Sequence, residues 1–457
     1  MAPAVASLIF AVGILCLFAL DGGEKNRVSK ALWIPTTWLF ITASRPASLW
    51  LGMSPTVADA ASVYTEGSPV DRTVFAVLEA IALIVVVGRR RQLGPILRRN
   101  WALGLFFFYA ALSISWSDYP VVTLKHWIKG IGDLLIVLIV LTEPNVADAI
   151  RRLVTRIGFV LLPLSVLFIR YYPLLGRRVT NSWTMEAVGV CVQKNSLGQL
   201  CDFFGLGLLW RFRSVYNDRR NPNRWRHLLA LGAVLATIVC LLWWCNSLTS
   251  ICALSMAGAV MLLSTRPAFR RRPALVHLLI LAVPACTLYA LFFQSSGALI
   301  AGMGRNRTLS GRTEDWPIII GALDNSVVVG AGYESFWLGP RLQKVWDAMP
   351  GLPITEAHNG YIEILLTLGW IGVVLLGVVI AKGYRDVISL YRRDPDLGSL
   401  MIAFFLATTV TAFTEAAFRV LGLPWIVFLL ATAGAPWMPQ LGAAISSRQA
   451  REVPNNK

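Results

Sequence analysis

Acidic residues are scarce in this chain. It has 25 Asp and Glu against 42 Lys and Arg in 457 residues, and charged side chains make up only 15% of it. With 56% of residues hydrophobic, that scarcity excludes an ordinary soluble domain, in which about a quarter of residues are charged. Cysteine is sparse as well. Cys16, Cys191, Cys201, Cys240, Cys245, Cys252 and Cys286 are scattered, mostly in apolar runs, and none forms a CxxC pair. They read as small buried hydrophobes, with no disulfide framework or zinc site. HExxH, a Walker A motif and a GxGxxG after a strand are all missing, which leaves ATP hydrolysis without support. There is no internal repeat to suggest a transporter built from two similar halves.

Long apolar runs are what the chain does have. "LLALGAVLATIVCLLWWC" and "ALVHLLILAVPACTLYALFF" each approach the roughly 20 residues that cross a bilayer as a helix. Apolar runs fall at 3–20, 31–51, 73–88, 101–116, 122–142, 157–172, 188–210, 228–245, 249–264, 275–294, 357–382, 398–416 and 420–437. The expectation is an all-α integral membrane protein, a polytopic helical bundle of about 11–13 membrane helices. The span at 31–51 is the weakest, because it contains Arg45. The N-terminal run has no basic region before it and reads as a membrane helix, not a cleaved signal.

The +17 charge sits in short loops such as "GRRRQLGPILRRN", "RFRSVYNDRRNPNRWRH" and "TRPAFRRRP". Basic short loops mark the cytoplasmic side. They are too short to form the basic domain that nucleic-acid binding needs, so no nucleic-acid partner is expected. Threading them inward places "SWSDYP", the "NSLTS" turn and one long loop, residues 294–356, outside. Loops of this length are functional or disordered. This one carries Trp316, Trp337, Trp346, Phe336, Tyr333 and the glycine cluster "VVVGAGYESF", a composition able to fold on top of the bundle. The chain divides into a scaffold bundle over 1–274, a region over 275–437 that includes the long loop, and a cytoplasmic tail over 438–457.

Only four histidines are present. His126 lies beside Lys125 and Lys129 at a helix entrance. His227 falls in a basic inner loop, where a solvated role is the default, and His277 lies near the inner end of a helix. His358 is the one at the outer face, in "EAHNGYIEILLTLGWIG", where the long loop meets a helix. It reads as an interfacial capping residue or as a general base, since histidine titrates near neutrality. Asn359 beside it can cap the helix or orient a hydroxyl, and Glu356 precedes it. "GRNRTLSGRTEDW" puts Arg305, Arg307 and Arg312 on the outer side, against the positive-inside trend. They either bind phosphate or are neutralised by Glu314 and Asp315. Lys194 and Asn195 in "VQKNSLGQLC" interrupt apolar sequence, and polar groups at membrane depth are usually functional. Glu415 and Arg419 read either as outer-face polar groups or as an i,i+4 ion pair. Asp394 and Asp396 form a D-x-D on an inner basic loop, read as a solvated turn and not as a metal site.

"SGRTEDW", "VVGAGYESFW" and "EAHNGYIEILLTLGWIG" resemble, in order, signatures of the O-antigen ligase and polymerase superfamily. "LSISWSDYP", "LKHWIKGIGD", "LPLSVLFIRYYPLLGRR" and "VQKNSLGQLC" resemble its exopolysaccharide-polymerase-like branch. The resemblance covers nearly the whole chain. It implies a GT-C-like helical fold with one long periplasmic loop in the bacterial inner membrane. It also implies transfer of a glycan from an undecaprenyl-diphosphate-linked oligosaccharide donor to a saccharide or lipid-linked acceptor, without cofactor or metal. Carried over, it makes His358 the base that activates the acceptor hydroxyl and Arg312 a diphosphate ligand, with Arg305 and Arg307 nearby. Asn359, Glu356, Lys194, Asn195 and Glu415 are the acceptor-binding or supporting residues. Where relatives carry a basic residue in an S-[RK]-[TG] turn, Leu248 stands in "NSLTS", so Lys194 or Arg178 would have to supply that contact. A lipid-linked glycan flippase and a non-catalytic assembly protein are the competing classes.

Overall fold

The structure, a computed structural model, describes residues 2–22, 28–53, 68–179, 184–292, 312–351 and 354–434. The described residues are helical almost throughout, as expected. A single short hairpin, Arg177–Val179 paired with Met185–Ala187, is the only sheet among the described residues. Pro3–Asp21, Val146–Tyr171, Arg224–Cys245 and Gly360–Arg393 are long and apolar enough to cross a membrane. Shorter apolar helices, among them Leu248–Ser264, Pro395–Thr411 and Leu423–Gly434, pack with them. Helices are the natural solution for such runs because a bilayer offers no water to satisfy backbone N–H and C=O groups. Proline opens several of them, at Pro3, Pro69, Pro120 and Pro395, where its missing N–H costs nothing. Leu8, Leu15, Ile84, Trp243 and Val374 face outward, the surface that hydrocarbon would cover.

One buried cluster runs from Leu32 to Ala433, so packing continues across residue 274. Helix Lys194–Asn217 from the N-terminal half lies against Pro395–Thr411 and Leu423–Gly434 from the C-terminal half. The bundle has a chemically distinct end. Pro69–Gly88 leads into Arg89, Arg90 and Arg91, and Gly360–Arg393 finishes on Arg392 and Arg393. The opposite end of Gly360–Arg393 carries the candidate site.

Three expectations are corrected. The 31–51 run is not one span: it forms Trp33–Thr42 and the short helix Ala47–Trp50, broken at Ser44–Pro46. Arg45 sits in that break. Its guanidinium donates to the carbonyls of Val190 and Gly189, each at 2.9 Å, and of Leu175 at 3.1 Å. An arginine at this depth demands such partners, and no continuous helix could supply them. The span begun at 357 extends to Arg393 and kinks at Gly369, where φ is 65°. His227 is not solvated. It is buried, with Nδ1 3.2 Å from Oδ1 of Asp21 on the N-terminal helix.

The described part of the long loop folds as a cap with its own core, formed by Trp316, Ile319, Leu323, Phe336, Trp337 and Val345 with Leu365 and Leu366 of the bundle. Its anchorage explains the glycine cluster. Ala331 and Gly332 donate to the carbonyls of Leu366 and Thr367, each at 3.0 Å, while Trp370 donates back to Val327 at 3.0 Å. The two backbones run so close that a Cβ on Gly330 would lie 2.5 Å from the nitrogen of Gly369, and one on Gly369 would lie 2.2 Å from the Val328 oxygen. The kink is therefore where the helix opens its ladder to receive the loop.

Candidate active site

The chain enters helix Gly360–Arg393 through Asn359. Its side chain accepts from the backbone of Tyr361 at 3.0 Å and Ile362 at 3.1 Å, an N-cap. The Asn359 Nδ2 also donates to the Phe413 carbonyl at 3.2 Å, which ties the helix start to the segment after Pro395–Thr411. His358, one residue earlier, has φ of 49°, an uncommon conformation for a residue with a side chain. Neighbouring contacts hold it there. Glu363 accepts from the Ala357 N–H at 2.5 Å and from Trp337 Nε1 at 3.0 Å, and Trp316 Nε1 donates to the Ala357 carbonyl at 2.9 Å. The aromatic residues of the cap thus brace the histidine turn.

The His358 ring lies between two carboxylates. Nδ1 is 3.1 Å from Oε1 of Glu356 and 3.6 Å from Oε2 of Glu415. At these distances Nδ1 has no well-aligned hydrogen bond to either carboxylate. Burial by itself would lower the imidazole pKa. The Glu415 contact and the Glu356 charge outweigh burial and the opposing Arg312 charge, so the His358 pKa lies above its ordinary value. Its side chain remains 28% exposed, enough to meet a substrate.

Glu415 is the hub. Its side chain is 6% exposed. Oε1 accepts from Asn195 Nδ2 at 2.7 Å and faces both Nη atoms of Arg312 at 3.3 Å. Arg312 also donates to the Thr414 carbonyl. Arg419 reaches Oε2 of Glu356 at 3.5 Å and Oε2 of Glu334 at 3.4 Å. The backbone after Arg419 is fixed in turn. Val420 N–H donates to Glu334 at 3.1 Å, and Leu421 N–H donates to the buried Asp133 at 2.8 Å.

The structure therefore joins His358, Glu356, Arg312, Glu415, Asn195 and Asn359, which come from four separate stretches of sequence. Lys194 is not among them: it pairs with Glu186 on the hairpin. Arg178 is on the facing strand, opposite Glu186. Arg305 and Arg307 lie outside the described residues. The i,i+4 reading of Glu415 and Arg419 does not hold, because the helix ends at Thr411 and each side chain turns to other partners. Asp394 is an N-cap accepting from Asp396 and Leu397 N–H at 3.1 Å, and Asp396 pairs with Arg213, so the D-x-D is structural. Sequence reasoning gave no role to Glu334, Glu363 or Asp133. Glu334 lies in the quoted glycine motif and also has positive φ, at 55°. Glu363 and Asp133 sit in apolar runs, where a lone carboxylate was the available signal.

One donor atom from each of Glu356, His358 and Glu415 lies within 4.8 Å of the others, a spacing that could hold a cation. Arg312 and Arg419 already bring positive charge to the same two carboxylates.

Fold and site define a polytopic helical membrane protein with a histidine–carboxylate–arginine cluster at one end of its bundle, beneath a folded loop. Residues 231–377 match the family model described as O-antigen ligase, a stretch that contains Arg312, Glu356, His358 and Asn359. Over 331 residues the chain is 28% identical to the exopolysaccharide production protein ExoQ of Rhizobium meliloti (strain 1021), which covers 70% of this chain and 72% of that protein. Both findings support a likeness to the O-antigen ligase and exopolysaccharide polymerase family.

Proposed function

We propose that this protein is a glycosyltransferase of the bacterial inner membrane. In this reading it transfers or polymerises glycan from an undecaprenyl-diphosphate-linked donor onto a saccharide acceptor at the periplasmic face, in surface or exopolysaccharide biosynthesis. The observation that carries it is His358 held between Glu356 and Glu415, with Arg312 on the same Glu415.

A lipid diphosphate is an activated leaving group. The acceptor hydroxyl gives its proton to neutral His358, and its oxygen forms the new bond to the donor's anomeric carbon. The bond from that carbon to the diphosphate oxygen breaks, and the lipid diphosphate departs with the electron pair. Glu356 and Glu415 stabilise the imidazolium formed, in the way a carboxylate supports a catalytic histidine. Long contacts in a free site tighten when substrate binds. Arg312 has five N–H donors. Those not used by Thr414 and Glu415 face the departing phosphate, whose growing charge a guanidinium stabilises well.

The test is incubation of purified protein with a lipid-diphosphate oligosaccharide and candidate acceptors, with wild type and His358→Ala compared for product. Elongated or transferred glycan made by the wild type alone supports the reading. Equal product from both defeats it, and no product with any acceptor favours the flippase or assembly class.

A further inference from the structure

A cavity of about 510 Å³ opens beside the His358 cluster, between helices Pro69–Gly88 and Pro120–Leu141 and the start of Lys194–Asn217. That size is within the roughly 300–1,000 Å³ usual for ligand sites. Its wall is mostly apolar, but Arg72, Lys125 and Lys129 line it together. Among the described residues, none of these side chains has a hydrogen-bond or ion-pair partner. Two acids share the wall. Asp71, which accepts from Ser48 N–H at 2.9 Å and Ser48 Oγ at 2.6 Å, and Glu79 both act on Lys129 through charge, so two carboxylates face three cations. The wall keeps an excess of positive charge, and cations without hydrogen-bond partners in apolar surroundings suit an anion. The cavity's lining includes Ala76 and Ile128, both exposed apolar residues, against which an apolar tail could lie.

Two chain segments separate cavity and cluster by one residue layer. Asn195 touches Glu415 while Ser196 lines the cavity; Arg419 touches Glu356 while Leu421 and Leu423 line the cavity. This spacing distinguishes donor from acceptor. A donor breaks the bond between its sugar and its diphosphate, so the donor diphosphate must lie at the reacting centre. An acceptor reacts through a hydroxyl at least one sugar away from any diphosphate it carries.

Resting on the glycosyltransferase reading above, we propose that the Arg72–Lys125–Lys129 cavity binds the diphosphate head of a second lipid-linked saccharide, the acceptor. The protein would then be a polymerase that joins two lipid-borne chains, with the donor's diphosphate at Arg312.

The experiment is equilibrium binding of radiolabelled undecaprenyl diphosphate to the full-length protein in phosphatidylethanolamine nanodiscs. Wild type should bind two equivalents. Lys125→Gln/Lys129→Gln should weaken one by roughly tenfold or more, the scale of lost charge-assisted contacts. Ala76→Trp, which crowds the apolar lining and leaves every cation in place, should weaken the same equivalent. Arg312→Lys should weaken only the other. A single wild-type equivalent that responds to Arg312→Lys and ignores both cavity variants overturns the proposal and leaves the glycosyltransferase reading intact. A single equivalent that responds to the cavity variants alone makes the cavity the donor site and overturns the acceptor assignment. Displacement of the cavity equivalent by phosphatidylglycerol at equal mole fraction makes it a phospholipid headgroup site and also overturns it. No binding at all overturns both this proposal and the reading beneath it.

Discussion

Both terminal nitrogens of Arg312 face one oxygen of Glu415, each at 3.3 Å, and the other oxygen of that carboxylate lies 3.6 Å from Nδ1 of His358. A single buried carboxylate therefore joins the group proposed to hold the leaving phosphate to the group proposed to take the proton. Changes at Arg312 will be felt at His358.

Replacing Arg312 with lysine keeps the charge and loses the planar fork. Transition-state stabilisation should fall by about 1–3 kcal/mol, the range for hydrogen bonds to charged groups. Part of the loss should appear as weaker binding of the lipid donor. Donor binding and product formation, measured separately after confirming membrane insertion, check this. A variant silent in both assays would place the diphosphate on other residues.

His358→Ala should leave donor binding nearly intact and lower turnover by about 10²–10⁴-fold, the usual worth of a general base. Single-turnover rates at saturating donor read the chemical step directly. Near-normal turnover would make His358 an interfacial residue only.

The raised His358 pKa has opposite consequences for activity and stability. Protonated His358 stabilises the fold fully below its unfolded value near about 6.5, and that contribution is lost as pH rises through the higher folded value. Catalysis needs the neutral ring, so turnover should increase over that same window, with a midpoint above the ordinary histidine value. Glu356→Gln removes one raising charge and should move the acid limb to lower pH. An unmoved limb would show that Glu356 does not act on the histidine.

Chelation tests the cluster of Glu356, His358 and Glu415. If Arg312 and Arg419 provide the positive charge, exhaustive EDTA treatment should leave turnover unchanged. Loss of activity that manganese or magnesium restores would establish a metal site at these residues.

Gly330→Ala tests how the cap is seated. A Cβ there would press on the Gly369 nitrogen, and Gly330 has φ of 77°, a conformation costly for alanine. The cap should detach more readily, by about 1–3 kcal/mol, and limited proteolysis should cut between 312 and 351 faster than in wild type. Because the cap braces the Ala357–His358 turn, turnover should fall as well.

Long apolar runs and basic short loops suffice, from sequence alone, to establish the all-α membrane bundle, since a bilayer allows few other ways to satisfy a backbone. The order of "SGRTEDW", "VVGAGYESFW" and "EAHNGY" was enough to single out Arg312 and His358. What sequence could not reveal was which charges meet. Glu415 could have paired with Arg419 four residues on, and only the end of the helix at Thr411 turns it toward Arg312 and His358. Lys194 and Asn195 are neighbours in sequence, yet one faces Glu186 and the other Glu415. Arg45 looked like a flaw in a membrane span and became the partner of carbonyls 130–145 residues away. Local pattern governs helices because their hydrogen bonds close within four residues. Ion pairs and carbonyl contacts between distant segments depend on where packed helices stop and which way their ends turn, and that belongs to the tertiary structure.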